Sequence, residues 1–95
     1  MANKRKIKKD IDCLTFEVIS DCFAWGAMHP DSHEEEVTEI IADAVILRND
    51  LFDRVNNFAK GENPKDVKAH FRLIKKDLFT GTDKLFKRLS ALSGK

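Results

Sequence analysis

Between about Lys4 and Ala27 the apolar positions Ile7, Ile11, Leu14, Val18, Cys22 and Trp25 recur at intervals of three and four, which keeps them on one side of a helix. A second run, from about Ser32 to Ala59, repeats the pattern with Val37, Ile40, Ile41, Ala44, Leu47, Leu51, Val55 and Phe58. Lys60-Gly61 closes it with a base for the last turn and a glycine suited to a left-handed cap. Asn63-Pro64 then reads as N-cap and first helical position, and Val67, Phe71, Ile74, Leu78, Leu85, Leu89 and Leu92 carry the same period to the C-terminus. Thr80-Gly81-Thr82-Asp83 is the weak point of this third run. Either Gly81 sits inside one helix at a cost of about 1 kcal/mol, or the helix breaks and Thr82 or Asp83 caps a short fourth one. Because the stripe keeps phase from Leu78 to Leu85, a continuous or kinked helix is favoured.

Three segments of similar length joined by short polar turns pack antiparallel. The expected fold is therefore all-α, an up-down-up three-helix bundle about 35–40 Å long, forming one domain over residues 1–95. A chain of 95 residues is close to the usual size of one domain and can bury one modest core without a metal or a disulfide. Four Gly, two Pro and no Tyr agree with helix over sheet.

Charge adds a feature that the hydrophobic pattern does not contain. The net charge is +1, yet residues 1–30 hold five bases against four acids, residues 31–60 three against eight, and residues 61–95 nine against four. Glu35, Glu36, Glu39, Asp43, Asp50 and Asp53 line the outer side of the second helix, while Lys65, Lys68, Arg72, Lys75, Lys76 and Lys87 line one side of the third. The acidic row is expected to point away from its own bundle, where a neighbouring molecule could neutralise it.

Two candidate contact surfaces follow. On the first helix Phe16, Ile19 and Phe23 form a second apolar ridge beside the main stripe, wider than one core-facing side requires. Its bland reading is a central helix touching both neighbours. Its functional reading is a surface for a protein partner, a second copy of the chain included. The rival surface is electrostatic: Lys4, Arg5, Lys6, Lys8 and Lys9, together with Lys68, Arg72 and Lys75, could grip nucleic-acid phosphates without reading sequence. Against it stand the near-neutral total charge and an acidic helix that would repel a long duplex.

The pair His29 and His33 in HPDSHEEE has the spacing of a helical metal site. Pro30 pushes His29 out of the α region, so the two imidazoles are not expected to share a helix face. Asp31 and Ser32 instead read as N-caps, each with a Glu three residues on to complete a capping box. His70 is similar in placement to the histidine of phosphotransfer bundles, which is commonly followed three residues later by Lys and then Gly; Leu73 and Ile74 stand there, so it reads as a bundle-edge residue. No phosphate-binding glycine loop, Gly-x-Ser-x-Gly or Cys-x-x-Cys occurs. Cys13 and Cys22, nine residues apart on one helix, lie about 13 Å apart and cannot bridge, and both are expected as reduced thiols. Neither an enzyme, a cofactor nor a metal is expected. No segment is long enough to span a bilayer, and Glu17 and Asp21 interrupt the apolar run that a signal peptide would need, so the expected location is cytoplasmic.

The opening Met1-Ala2-Asn3-Lys4-Arg5-Lys6-Ile7-Lys8-Lys9, with Cys13-Leu14-Thr15-Phe16-Glu17 after it, resembles the start of a group of small uncharacterised helical bacterial proteins. That resemblance covers the first quarter of the chain and implies a bacterial cytoplasmic protein. It brings no site residues. Taken together, these residues lead to the expectation of a non-enzymatic interaction or assembly module, with nucleic-acid association as the alternative.

Overall fold

The computed structural model describes residues 4–57 and 64–93, and helices account for most of them: α1 Lys4–Met28, α2 Glu34–Asn56 and α3 Pro64–Ser93. No strand occurs among the described residues. The three pack antiparallel, up, down and up, into a rod of 52 × 18 × 17 Å. It is longer than the 35–40 Å expected, since the 30 residues of α3 alone rise about 45 Å. The break considered at Gly81, with a short fourth helix capped by Thr82 or Asp83, does not occur.

The core is layered along the rod. Ile7, Ile11, Leu51, Val55, Phe71, Ile74 and Leu78 fill one end, and Val18, Cys22, Val37, Ile40, Ala44, Leu85 and Leu89 fill the other. Leu47 packs against both layers and joins them. Two residues that an apolar pattern overlooks are buried with them. Thr15 donates its hydroxyl to the Ile11 carbonyl at 2.7 Å, and Thr82 donates to the Leu78 carbonyl at 2.8 Å. A threonine that satisfies its hydroxyl one turn back presents only its methyl to the core.

Gly81 is explained from across the bundle. A Cβ built there would lie 2.8 Å and 3.0 Å from the two δ-methyls of Leu47. Any larger side chain there would force Leu47 to shift from its seat between the layers. Three charged pairs fix the helices against one another: Arg48 to Asp12 and Arg54 to Asp77, both at 2.7 Å, and Arg88 to Asp43 at 2.6 Å. All are partly exposed, so each contributes at most about 1 kcal/mol and serves register more than stability.

The turn between α1 and α2 departs from the expected geometry. α2 begins at Glu34, not Ser32, and its N-cap is His33, whose side chain makes no capping bond. Asp31 and His33 both adopt left-handed backbone, with φ of 64° and 54°. The expected capping box at Asp31 or Ser32 is thus absent. Reversing the chain within residues 29–33 uses those positions for turning, and the first turn relies on Glu34, Glu35 and Glu36 at the positive end of the helix dipole. At its other end α2 stops at Asn56, before the expected Ala59, and the Asn57 N–H closes it on the Asp53 carbonyl at 2.8 Å. Phe58, Lys60-Gly61 and the Asn63 cap lie outside the described residues. Among the described residues no helix is long and apolar enough to cross a membrane.

Candidate functional site

The ridge expected on α1 stands clear of the core on the side of α2. Phe16 is 69% exposed and Phe23 is 65% exposed, while Ile19 between them is half-buried and rests on the second core layer. The chain folds this way because the main stripe of α1 already fills the interior. A ridge rotated roughly 100° from that stripe has only the outer edge of the α1/α2 seam left to occupy. There it floors a groove of about 350 Å³ lined by Asp12, Cys13, Thr15, Phe16, Ile19 and Arg48.

The α2 side of this face was not anticipated from the sequence. Ile41 lines a second depression with Phe23 and Glu34, and Arg48 lines the first with Phe16. Val45 stands four residues after Ile41 and three before Arg48, hence on the same side of α2, and it is 41% exposed. The resulting face has an apolar middle of Phe16, Ile19, Phe23, Ile41 and Val45. At one end Lys8 lies over the Phe52 ring of α2 at 5.9 Å and Lys9 stands seven residues before Phe16, hence on the same side of α1, and the other end carries Glu34 and Asp31. The spacing Ile41, Val45, Arg48 was the available signal, masked because Ile41 also belongs to the core stripe.

Charge is sorted along the rod in the same sense. The segments around the first core layer, residues 4–15, 47–57 and 64–78, hold twelve basic and six acidic residues. Those around the second, residues 16–46 and 79–93, hold three basic and nine acidic. Lys6, Lys8, Lys9, Lys68, Arg72 and Lys75 thus lie at one end of the molecule with Arg5 and the backbone of Lys4, brought together by the fold from two distant stretches. The acidic row proves less uniform than expected. Glu35, Glu36 and Glu39 are exposed, but Asp43 turns towards α3 and meets Arg88, so part of the charge is neutralised within the molecule.

The two candidate metal ligands are both gathered onto Trp25. His29 stacks on the indole with centroids 4.3 Å apart, and His33 lies against it at 5.9 Å. His29 Nδ1 is 3.0 Å from the Trp25 carbonyl, which can only accept, so that nitrogen carries a proton in this contact and offers no lone pair to a metal. His33 Nδ1 sits 3.6 Å from a Glu36 carboxylate oxygen. Among the described residues no three His, Cys, Asp or Glu side chains converge as metal ligands would. His70 is half-buried, and its Nε2 is 2.7 Å from the carbonyl of Arg54 in the last turn of α2. It therefore satisfies one of the carbonyls that a helix end leaves unpaired.

Cys13 is exposed beside Phe16, and Cys22 is buried. Burial pushes the Cys22 thiol above its ordinary value of 9.0, the neighbouring Asp21 carboxylate adds to the rise, and Arg88 opposes it. A nucleophilic cysteine requires the opposite shift, so Cys22 is a packing residue. Comparison with family models, with curated proteins and with solved structures returned no match.

Proposed function

We propose that this chain is a non-enzymatic protein-interaction or assembly module that works through the α1/α2 face. The observation that carries the reading is the pair of exposed phenylalanines, Phe16 and Phe23, flanking a half-buried Ile19 beside the exposed Val45. Apolar residues scattered singly over a surface need no explanation. A contiguous patch built from two helices and bordered by charge at both ends is the usual form of a protein contact. A photo-cross-linking amino acid placed at Phe16 in cells producing the chain tests it. The expected result is a discrete protein adduct, lost when Phe23→Glu is added, with none from the same probe at Phe79 on another face. Absence of any adduct at position 16 removes the proposal.

The basic end supports a second reading, nucleic-acid association, through the crowding of Arg5, Lys6, Lys8, Lys9, Lys68, Arg72 and Lys75 at one pole, where the backbone of Lys4 also lies. Its mark is salt dependence. Binding to a labelled single strand should weaken steeply as salt rises, and truncation of residues 4–9 should flatten that slope by several units. The face reading is preferred because the opposite pole carries nine acids against three bases, which a phosphate backbone running along the rod would meet.

A further inference from the structure

We infer that the occupant of the α1/α2 face is a second copy of this chain, laid antiparallel across a two-fold axis that is perpendicular to the rod and passes near Ile19. The inference rests on the reading of that face as a contact surface and adds the partner and its orientation.

A two-fold interface presents the same patch from both copies, so whatever one end of the patch carries must suit the other end. Here the patch is apolar in the middle, with the mutually paired Asp12 and Arg48 on one side of it, Lys8 and Lys9 eleven and ten residues before Ile19 beyond them, and Glu34 and Asp31 towards the opposite pole. Lys9 lies about 15 Å along α1 from Ile19. Arg48 pairs with Asp12, seven residues before Ile19, which places Ile41 level with Ile19 and Glu34 about 10 Å beyond it. Rotation about an axis at Ile19 therefore brings the Lys8/Lys9 end of each copy to the Glu34/Asp31 end of the other, and seats Phe16 of one copy near Phe23 of its mate. The same rotation sets the pole of twelve bases and six acids beside the pole of three bases and nine acids. A parallel pair would juxtapose like poles along the whole length. A contact at the rod tips would leave the apolar middle uncovered.

Size is consistent with a reversible pair. Twenty residues of α1 cover about 30 Å, and the rod is 17–18 Å wide, so the two copies together bury about 1,000 Å². That is the low end for a specific interface. Affinity should then depend on a few aromatic anchors and on charge matching.

Sedimentation equilibrium of the full chain over a concentration series tests the inference, with far-ultraviolet circular dichroism confirming that each variant is folded. The wild type should dimerise. Phe16→Ser and Phe23→Ser should each raise the dissociation constant by about 30-fold, the change that loss of an interface anchor produces, while Phe79→Ser should leave it unchanged. Lys9→Glu and Glu34→Lys should each weaken the dimer about fivefold, and both together in one chain should restore it, because the pairing of position 9 with position 34 across an antiparallel axis is then inverted but still matched. In a parallel dimer the single reversals would not weaken association, and that result overturns the inference. So does a dimer lost with Phe79→Ser in place of Phe16→Ser. If the wild type stays monomeric to about 100 µM while the photoadduct at position 16 joins a different protein, the self-pairing is overturned and the interaction face stands. If the adduct is absent as well, both fall.

Discussion

Replacing Gly81 by alanine sets two effects of opposite sign against each other, and the structure decides between them. Helix propensity alone favours alanine by about 1 kcal/mol in a helix interior. The new Cβ, however, would stand 2.8 Å and 3.0 Å from the two δ-methyls of Leu47 and 3.4 Å from its Cγ, where ordinary carbon contacts lie at about 3.5–4.0 Å. Both methyls are hit, so turning Leu47 about its last torsion exchanges one clash for the other. Moving the whole side chain disturbs both core layers, since Leu47 belongs to each. Overpacking of this kind costs about 1–3 kcal/mol, which gives a net loss of about 1 kcal/mol for Gly81→Ala. Leu47→Ala alone should cost about 2–3 kcal/mol through the cavity it leaves. In that background Gly81→Ala has nothing to strike, and it should stabilise by about 1 kcal/mol. Urea denaturation followed by circular dichroism on the four proteins gives the coupling directly. A Gly81→Ala change worth the same in both backgrounds would refute the steric account and leave the glycine unexplained.

Three further outcomes follow from named groups. Cys13 should react with a thiol reagent in the native protein and Cys22 only after unfolding, so two fast native thiols would mean that the second core layer opens readily. Because burial raises the folded-state value of Cys22, stability should be intact below about pH 9 and fall as pH rises from there through the folded value. Cys22→Val should remove that part of the slope, and an unchanged slope assigns it to other groups. His70→Ala unpairs the Arg54 carbonyl at the end of α2 and should cost about 1 kcal/mol in chemical denaturation, with no effect on self-association; a neutral result would show that water replaces the imidazole without loss.

The helices were legible in the sequence where a periodic apolar stripe coincided with a strong local signal. Pro64 opens α3, and the unbroken phase from Leu78 to Leu85 anticipated its continuity. The turn at residues 29–33 was not legible. A side-chain cap at Asp31 or Ser32 contributes only about 1 kcal/mol, and the demand of reversing the chain around Trp25 outweighs it. Thr15 and Thr82 escaped because a period of apolar residues does not register a hydroxyl that hydrogen-bonds one turn back. The reason for Gly81 lies on another helix, at Leu47, and the pairing of Asp43 with Arg88 depends on the axial register of α2 against α3. Neither is contained in local pattern. The ridge Phe16, Ile19, Phe23 was legible from helical geometry alone, whereas its continuation over Ile41 and Val45 needed the packing of α1 on α2.

The most direct test of the account is to mix copies of the chain grown with light and heavy nitrogen, treat them with a zero-length carbodiimide, and sequence the linked peptides by mass spectrometry. The antiparallel pair predicts mixed-label links from Lys8 or Lys9 to Glu34 or Asp31, lost in Phe16→Ser. Links found only within one label, or mixed links that survive Phe16→Ser unchanged, would contradict it.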